Sequence, residues 1–145
     1  MNRLVVVIGL FVIIVIGAVV LIVLPAPAKA PGGATPASLP DLITVSAPLP
    51  NTTIASPLTI SGQARGGWYF EASAPVVLKN SVGTVIAEGH VNAQGDWMTA
   101  DFVPFSTTLT FPPQPAGSAG TLVLMNDNLS GLPENQNELS IAITF

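Results

Sequence analysis

The chain has 145 residues, no cysteine, and eight Asp and Glu against four Lys and Arg. The absence of thiols excludes disulfides, thiol catalysis, lipid attachment through cysteine and thiolate metal sites, so a small domain here must hold together through its core alone. The acidic balance argues against nucleic acid, whose phosphates need Lys and Arg, and against a body that lies down on anionic lipid.

From the N-terminus, Leu4 to Leu24 is 21 residues without a charge. As a helix it spans ~30 Å, the thickness of a bilayer's hydrocarbon core, and a lone segment in lipid satisfies its backbone only as a helix. Arg3 stands before it and Lys29 beyond it. The positive-inside rule then predicts a single-pass anchor with the N-terminus in and the remainder outside. The competing reading is a signal peptide cleaved near Ala26-Pro27-Ala28 or Ala28-Lys29-Ala30; the apolar run exceeds the usual ~7–15 residues of such peptides, which favours an uncleaved anchor.

Residues 25–40, PAPAKAPGGATPASLP, read as a linker that is extended and disordered, because its composition cannot bury a core. The sequence divides accordingly into an anchor (1–24), a linker (25–40) and a folded body (41–145).

The body reads as short strands separated by turn signals. Leu42–Ser46 is a first strand and Pro48-Leu49-Pro50-Asn51 a turn, followed by an alternating strand over Leu58–Gln63. A central hairpin comes next. Trp68, Phe70 and Ala72 alternate against Tyr69, Glu71 and Ser73; Pro75 marks an edge or a bulge before Val76-Val77-Leu78; Asn80–Gly83 is the turn. On the return strand Val85, Ala87, Gly89, Val91 and Ala93 face inward and Thr84, Ile86, Glu88, His90 and Asn92 outward. Trp97–Phe102 and Phe105–Phe111 are one strand interrupted at Pro104, or two. A loop over Pro112–Gly120, a strand over Thr121–Asn126 and a long polar loop over Asp127–Asn137 lead to the clearest alternation, with Leu139, Ile141, Ile143 and Phe145 on one face. No segment of the body shows a 3.6-residue period. Seven or eight short strands predict an all-β, immunoglobulin-like β-sandwich, preceded by one N-terminal transmembrane helix.

The chemistry-bearing residues are sparse. His90 is the only histidine. One imidazole without cysteine falls short of a four-ligand zinc site, and no G-x-S-x-G elbow accompanies it, so it reads as a surface residue. Asp96 and Asp101 beside Trp97 have the composition of a glycosidase pair with a sugar platform. Each tryptophan on a sandwich strand reads first as core, and Glu71 reads as the surface partner of Arg65 or Lys79. The loop Asp127–Glu138 is the best site candidate: Asp127, Asn128, Ser130, Glu134, Asn135 and Glu138 form a possible partner-binding surface. Its oxygens could serve calcium, although the spacing is not that of an EF-hand, and an Asx-bonded turn is the simpler reading. No catalytic, cofactor or metal residues are assigned.

Several stretches carry a family resemblance: Pro48-Leu49-Pro50-Asn51, SPLTISGQARG over Ser56–Gly66, Trp68-Tyr69-Phe70-Glu71-Ala72, Gly95-Asp96-Trp97-Met98-Thr99, Phe102-Val103-Pro104-Phe105 and SGLPEN over Ser130–Asn135. In order and spacing they resemble the immunoglobulin-like domain of bacterial spore germination proteins across residues 43–145. The resemblance implies an envelope-facing β-sandwich without catalytic activity. The expectation is therefore a non-catalytic, extracytoplasmic binding module of the bacterial envelope. The lipid bilayer is met through Leu4 to Leu24, and an envelope protein or cell-wall component is the partner. The alternatives are an accessory subunit assembled through its transmembrane helix and a cell-wall glycan hydrolase.

Overall fold

A computed structural model describes residues 35–145. The expected transmembrane helix over Leu4–Leu24, and the linker as far as residue 34, lie outside the described residues. Among the described residues no helix is long and apolar enough to cross a membrane.

Eight strands follow in order: β1 (Ala37–Leu39), β2 (Ile43–Ala47), β3 (Leu58–Arg65), β4 (Ser73–Asn80), β5 (Val85–Ala93), β6 (Phe102–Leu109), β7 (Ala119–Met125) and β8 (Glu138–Thr144). All pair antiparallel in one sheet of order β1-β2-β3-β6-β5-β4-β7-β8. The sheet folds over at its middle, where β5 and β6 share only the pairs Asn92↔Ser106 and Ala93↔Phe105. Its two halves face each other across the core and give the expected immunoglobulin-like sandwich. On the far side, Asn51–Ile54 runs parallel to β8. The Asn51 N–H donates to the Ala142 carbonyl at 2.7 Å and the Ile54 N–H to the Thr144 carbonyl at 2.9 Å. The sheet thus nearly closes into a barrel.

The core is the sum of the inward faces. Ile43, Val45, Ile60, Ala64 and Phe105 come from one half, and Val76, Leu78, Val91, Leu122, Leu124 and Ile141 from the other, in one continuous cluster. The expected inward face of the last strand is there in full: Leu139, Ile141, Ile143 and Phe145 are all buried. Gly62 sits opposite Phe105 on the neighbouring strand, and the aromatic ring lies over it. A Cβ at Gly62 would collide with the Thr44 carbonyl oxygen and with that ring. Gly120 likewise leaves room for Ile143 and Phe145.

Both prolines within strands sit where a missing N–H costs no ladder bond. Pro75 precedes the first residue of β4 that pairs with β7, Val76. Pro104 does not interrupt its strand: it lies inside β6 opposite Gln63, and its carbonyl, turned away from β3, accepts from the Gln94 N–H at 2.7 Å.

Four expectations are corrected. The ladder begins at Ala37, inside the stretch read as linker, because Ala37–Leu39 pairs with Ile43–Val45. Trp68–Ala72 is not a strand. Gly66–Trp68 forms a 3-10 turn, and Phe70 and Ser73 bridge a tight turn whose central residues, Glu71 and Ala72, have φ of 45° and 61°. Trp68 and Tyr69 are therefore both buried while Phe70 is exposed. Trp97–Ala100 is connection rather than strand, and Trp97 is only half-buried. Val85 is exposed because a bulge between Leu78↔Ala87 and Lys79↔Val85 shifts the register and turns it out of the core.

Gly62→Ala is expected to destabilise the domain by about 2 kcal/mol or more, since the collision involves backbone that cannot move aside cheaply. Gly67→Ala, where a Cβ meets nothing within 4 Å, is the matched control and should leave the thermal midpoint nearly unchanged. Equal midpoints for both variants would show that the chain does not pass as close as described.

Candidate functional site

In an antiparallel chain, alternate connections lie at opposite ends. The connections β1–β2, β3–β4, β5–β6 and β7–β8 gather at one pole, and the chain enters β1 at the other. The four connections are fastened together by the stretch that follows β3. The Arg65 guanidinium donates through Nε to the Asp41 carbonyl and through Nη1 to the Ala100 carbonyl, both at 3.1 Å, and lies 4.2 Å from the centre of the Phe102 ring. The Gly66 N–H donates to the Asp101 carbonyl at 3.1 Å. A side chain at Gly66 would strike the carbonyl oxygens of Trp97 and Thr99, so only glycine passes here. The Trp68 carbonyl accepts the Asp127 N–H at 3.0 Å, which brings in the fourth connection. The expected pairing of Glu71 with Arg65 does not form, because the guanidinium is engaged by carbonyls.

Tyr69 anchors this stretch from below. Its hydroxyl donates to the buried Val103 carbonyl at 2.8 Å. Burial strips water from the phenolate form and pushes the pKa up to about 12, against a smaller opposing effect of the backbone at Ala64. The Trp68 indole N–H is buried without a hydrogen-bond partner, a cost of roughly 1–3 kcal/mol that the packing of Trp68 must exceed.

The Asp127–Glu138 loop is an internally bonded turn. The Asn128 side chain donates to the Leu132 carbonyl at 2.8 Å and accepts from the Ser130 hydroxyl. The Ser130 oxygen in turn accepts from the Leu132 N–H at 3.2 Å and from the Asn135 amide at 2.9 Å. Asn128, Ser130 and Asn135 are thus brought together, but their polar atoms are used within the loop. Asp127, Glu134 and Glu138 are not brought together: among the described residues no three His, Asp or Glu side chains are close enough to share a metal ion. The residue that organises the loop, Asn126, escaped the sequence reading. Its Oδ1 accepts from the Asn137 N–H at 2.7 Å and from Gln136 Nε2 at 3.0 Å, and its Nδ2 donates to the Asn135 carbonyl at 3.0 Å. An asparagine directly after a strand was the available signal.

Sequence reasoning also missed the apolar character of this pole. Phe70, Met98, Leu129 and Leu132 are exposed here. Trp97 meets Phe70 edge to face at 6.4 Å and 71°, and borders a shallow hollow of about 380 Å³ with Gly66, Tyr69 and Met98. Asp96 and Asp101 line an adjacent hollow, but the Asp96 carboxylate accepts the Met98 N–H at 3.0 Å and the Thr99 hydroxyl bridges to Asp101, so both serve the turn. His90 and Glu88 lie on β5 rather than in the connections, His90 opposite Pro75 of β4, beside a hollow that Met125 also lines.

Comparison with known families gives one match. The model of the immunoglobulin-like domain of bacterial spore germination matches residues 42–131, ending in the β7–β8 loop rather than at the expected residue 145. No curated protein and no solved structure matches.

Two outcomes follow from this geometry. Tyr69 is the only tyrosine, so phenolate absorption reports it alone. The folded chain should show no tyrosinate until the pH nears 12, against 10 for a free phenol. A folded-state pKa above the unfolded one contributes stability that is complete below pH 10 and is lost as pH rises towards 12. Tyr69→Phe should remove that alkaline loss and cost about 1 kcal/mol at neutral pH for the hydrogen bond; phenolate appearing near pH 10 in the folded chain would refute the burial. Asn126→Ala should raise amide hydrogen exchange across residues 127–137 while exchange in β7 and β8 stays slow.

Proposed function

The chain belongs to the family of immunoglobulin-like domains of bacterial spore germination, and we propose that it acts as a non-catalytic binding module of the bacterial envelope. In this reading Leu4–Leu24 anchors it in the cytoplasmic membrane as a single pass, the Pro/Ala-rich stretch holds the domain clear of the surface, and the pole of four connections meets an envelope protein or cell-wall partner. The observation that carries the reading is that pole. Four connections are stitched into one rigid surface by Arg65, Gly66 and Trp68, at the end of the domain opposite the point where the chain enters. Binding residues on loops held by a rigid scaffold are the usual way such a fold recognises a partner. No constellation of nucleophile, base and orienting group occurs at the pole, and the two carboxylates nearest to a sugar platform are bonded into their own turn.

The experiment is site-specific photo-crosslinking in cells, with the photoreactive residue placed at Leu129 or, on the opposite pole, at Val82. A partner captured from Leu129 and not from Val82 supports the reading. Asp127→Ala and Glu134→Ala should weaken that capture without moving the thermal midpoint. Loss of capture on exchanging Leu4–Leu24 for an unrelated spanning helix, with both loop variants unaffected, would favour assembly through the helix instead.

A further inference from the structure

We propose that the pole of four connections docks a protein segment in which lysine or arginine side chains flank an apolar one. The inference rests on the binding-module reading and gives its partner a chemistry.

The first observation is apolar exposure. Of the six large hydrophobic side chains that the described residues leave exposed, four lie here: Phe70, Met98, Leu129 and Leu132. Met98 is 78% and Leu129 66% exposed, values that burial in the domain's own core does not explain. Beside Met98, a shallow open hollow of about 380 Å³ lined by Gly66, Gly67, Tyr69 and Trp97 offers a surface on which an apolar side chain of a partner can rest. Exposed apolar groups rimmed by polar ones mark protein interaction surfaces.

The second observation is the distribution of charge. Every acidic residue of the chain except Glu88 lies in the four connections of this pole or, for Glu138, at the strand end next to them. The three connections at the opposite pole, residues 48–57, 81–84 and 110–118, hold no charged residue at all. Among the described residues one cation lies at the acidic pole, Arg65, held on the carbonyls of Asp41 and Ala100 and on the Phe102 ring; it offsets a single charge and leaves the pole net negative. Glu71, Asp96, Asp127 and Glu134 therefore set a negative field around the apolar groups. Individually such exposed charges contribute little, but their sum selects the sign of the partner and speeds encounter with a cationic one. The same sign disfavours anionic lipid and nucleic acid. Among the described residues no three acidic or histidine side chains converge, which disfavours a metal ion as the occupant.

The test uses the full-length chain in nanodiscs of zwitterionic lipid, with empty nanodiscs as background, and a fluorescent peptide carrying a Leu-Trp pair flanked by lysines. Two matched peptides carry glutamate in place of lysine or serine in place of Leu-Trp. The lysine peptide should bind, with an affinity that falls as salt is raised, and each matched peptide should bind at least tenfold more weakly. Glu134→Lys, Asp127→Lys and Leu132→Ser should each weaken binding roughly fivefold at low salt, whereas Ser81→Lys at the opposite pole should not. A photoreactive version of the peptide should label residues of the four connections. Equal binding of the lysine and glutamate peptides, or equal weakening by Ser81→Lys, would overturn the proposal. So would failure of the lysine peptide to compete with a partner captured from Leu129 in cells; that result would leave the binding-module reading standing. Absence of any capture from Leu129 would count against the reading itself.

Discussion

At Gly62 and again at Gly66 the backbone runs closer to its neighbours than a side chain allows, and the arrangement of the domain depends on that approach. At Gly62 the contact is with the Thr44 carbonyl and the Phe105 ring, which fills the space a larger residue would occupy. At Gly66 it is with the carbonyls of Trp97 and Thr99. Between the two glycines, Arg65 lays its guanidinium across Phe102 and donates to two connections. The fastening is made of backbone donors, carbonyl acceptors and one cation over an aromatic face, rather than of ion pairs between side chains. Such contacts are insensitive to salt in a way that surface ion pairs are not. The pole they hold together can therefore stay rigid while the charges displayed on it respond to ionic strength.

A domain without disulfides has to manage its sheet edges by other means. Here near-closure does most of it. The C-terminal end of the outer edge of β8, at Ala142 and Thr144, is covered by Asn51–Ile54, and the edge strand on the other side, β1, is three residues long. Short or covered edges deny a template to other chains, which matters for a strand as apolar as β8. The inward faces of all the longer strands meet in one cluster. Removing any one strand would expose the inner face of another, and a core of that kind can hold the fold without covalent staples.

The sequence was informative about faces and uninformative about turns. Period two identified the inward set of β8 and the inner position Val91 of β5, because alternation follows directly from the pleat. It failed at Trp68–Ala72, where alternation continues through a stretch that is not a strand. The turn at Glu71-Ala72 uses two non-glycine residues at positive φ, so no glycine or asparagine announced it. It failed at Val85, where a bulge invisible to composition shifts the register. The β7–β8 loop was recognisable as a loop, and the Asx-bonded turn that is its simpler reading is what Asn128, Ser130 and Asn135 form; Asn126, which organises it, was not singled out. That Met98 and Leu129 share a pole is a consequence of topology, and local sequence patterns carry no information about which connections end up together.

Topology also gives the pole its direction. In an antiparallel chain of this order, the odd-numbered connections lie at the end opposite to the entry of the chain, whatever their lengths or sequences. Charge is sorted by the same parity: six of the eight acids and four of the six exposed large apolar groups lie in the odd connections, and the even ones carry no charged residue.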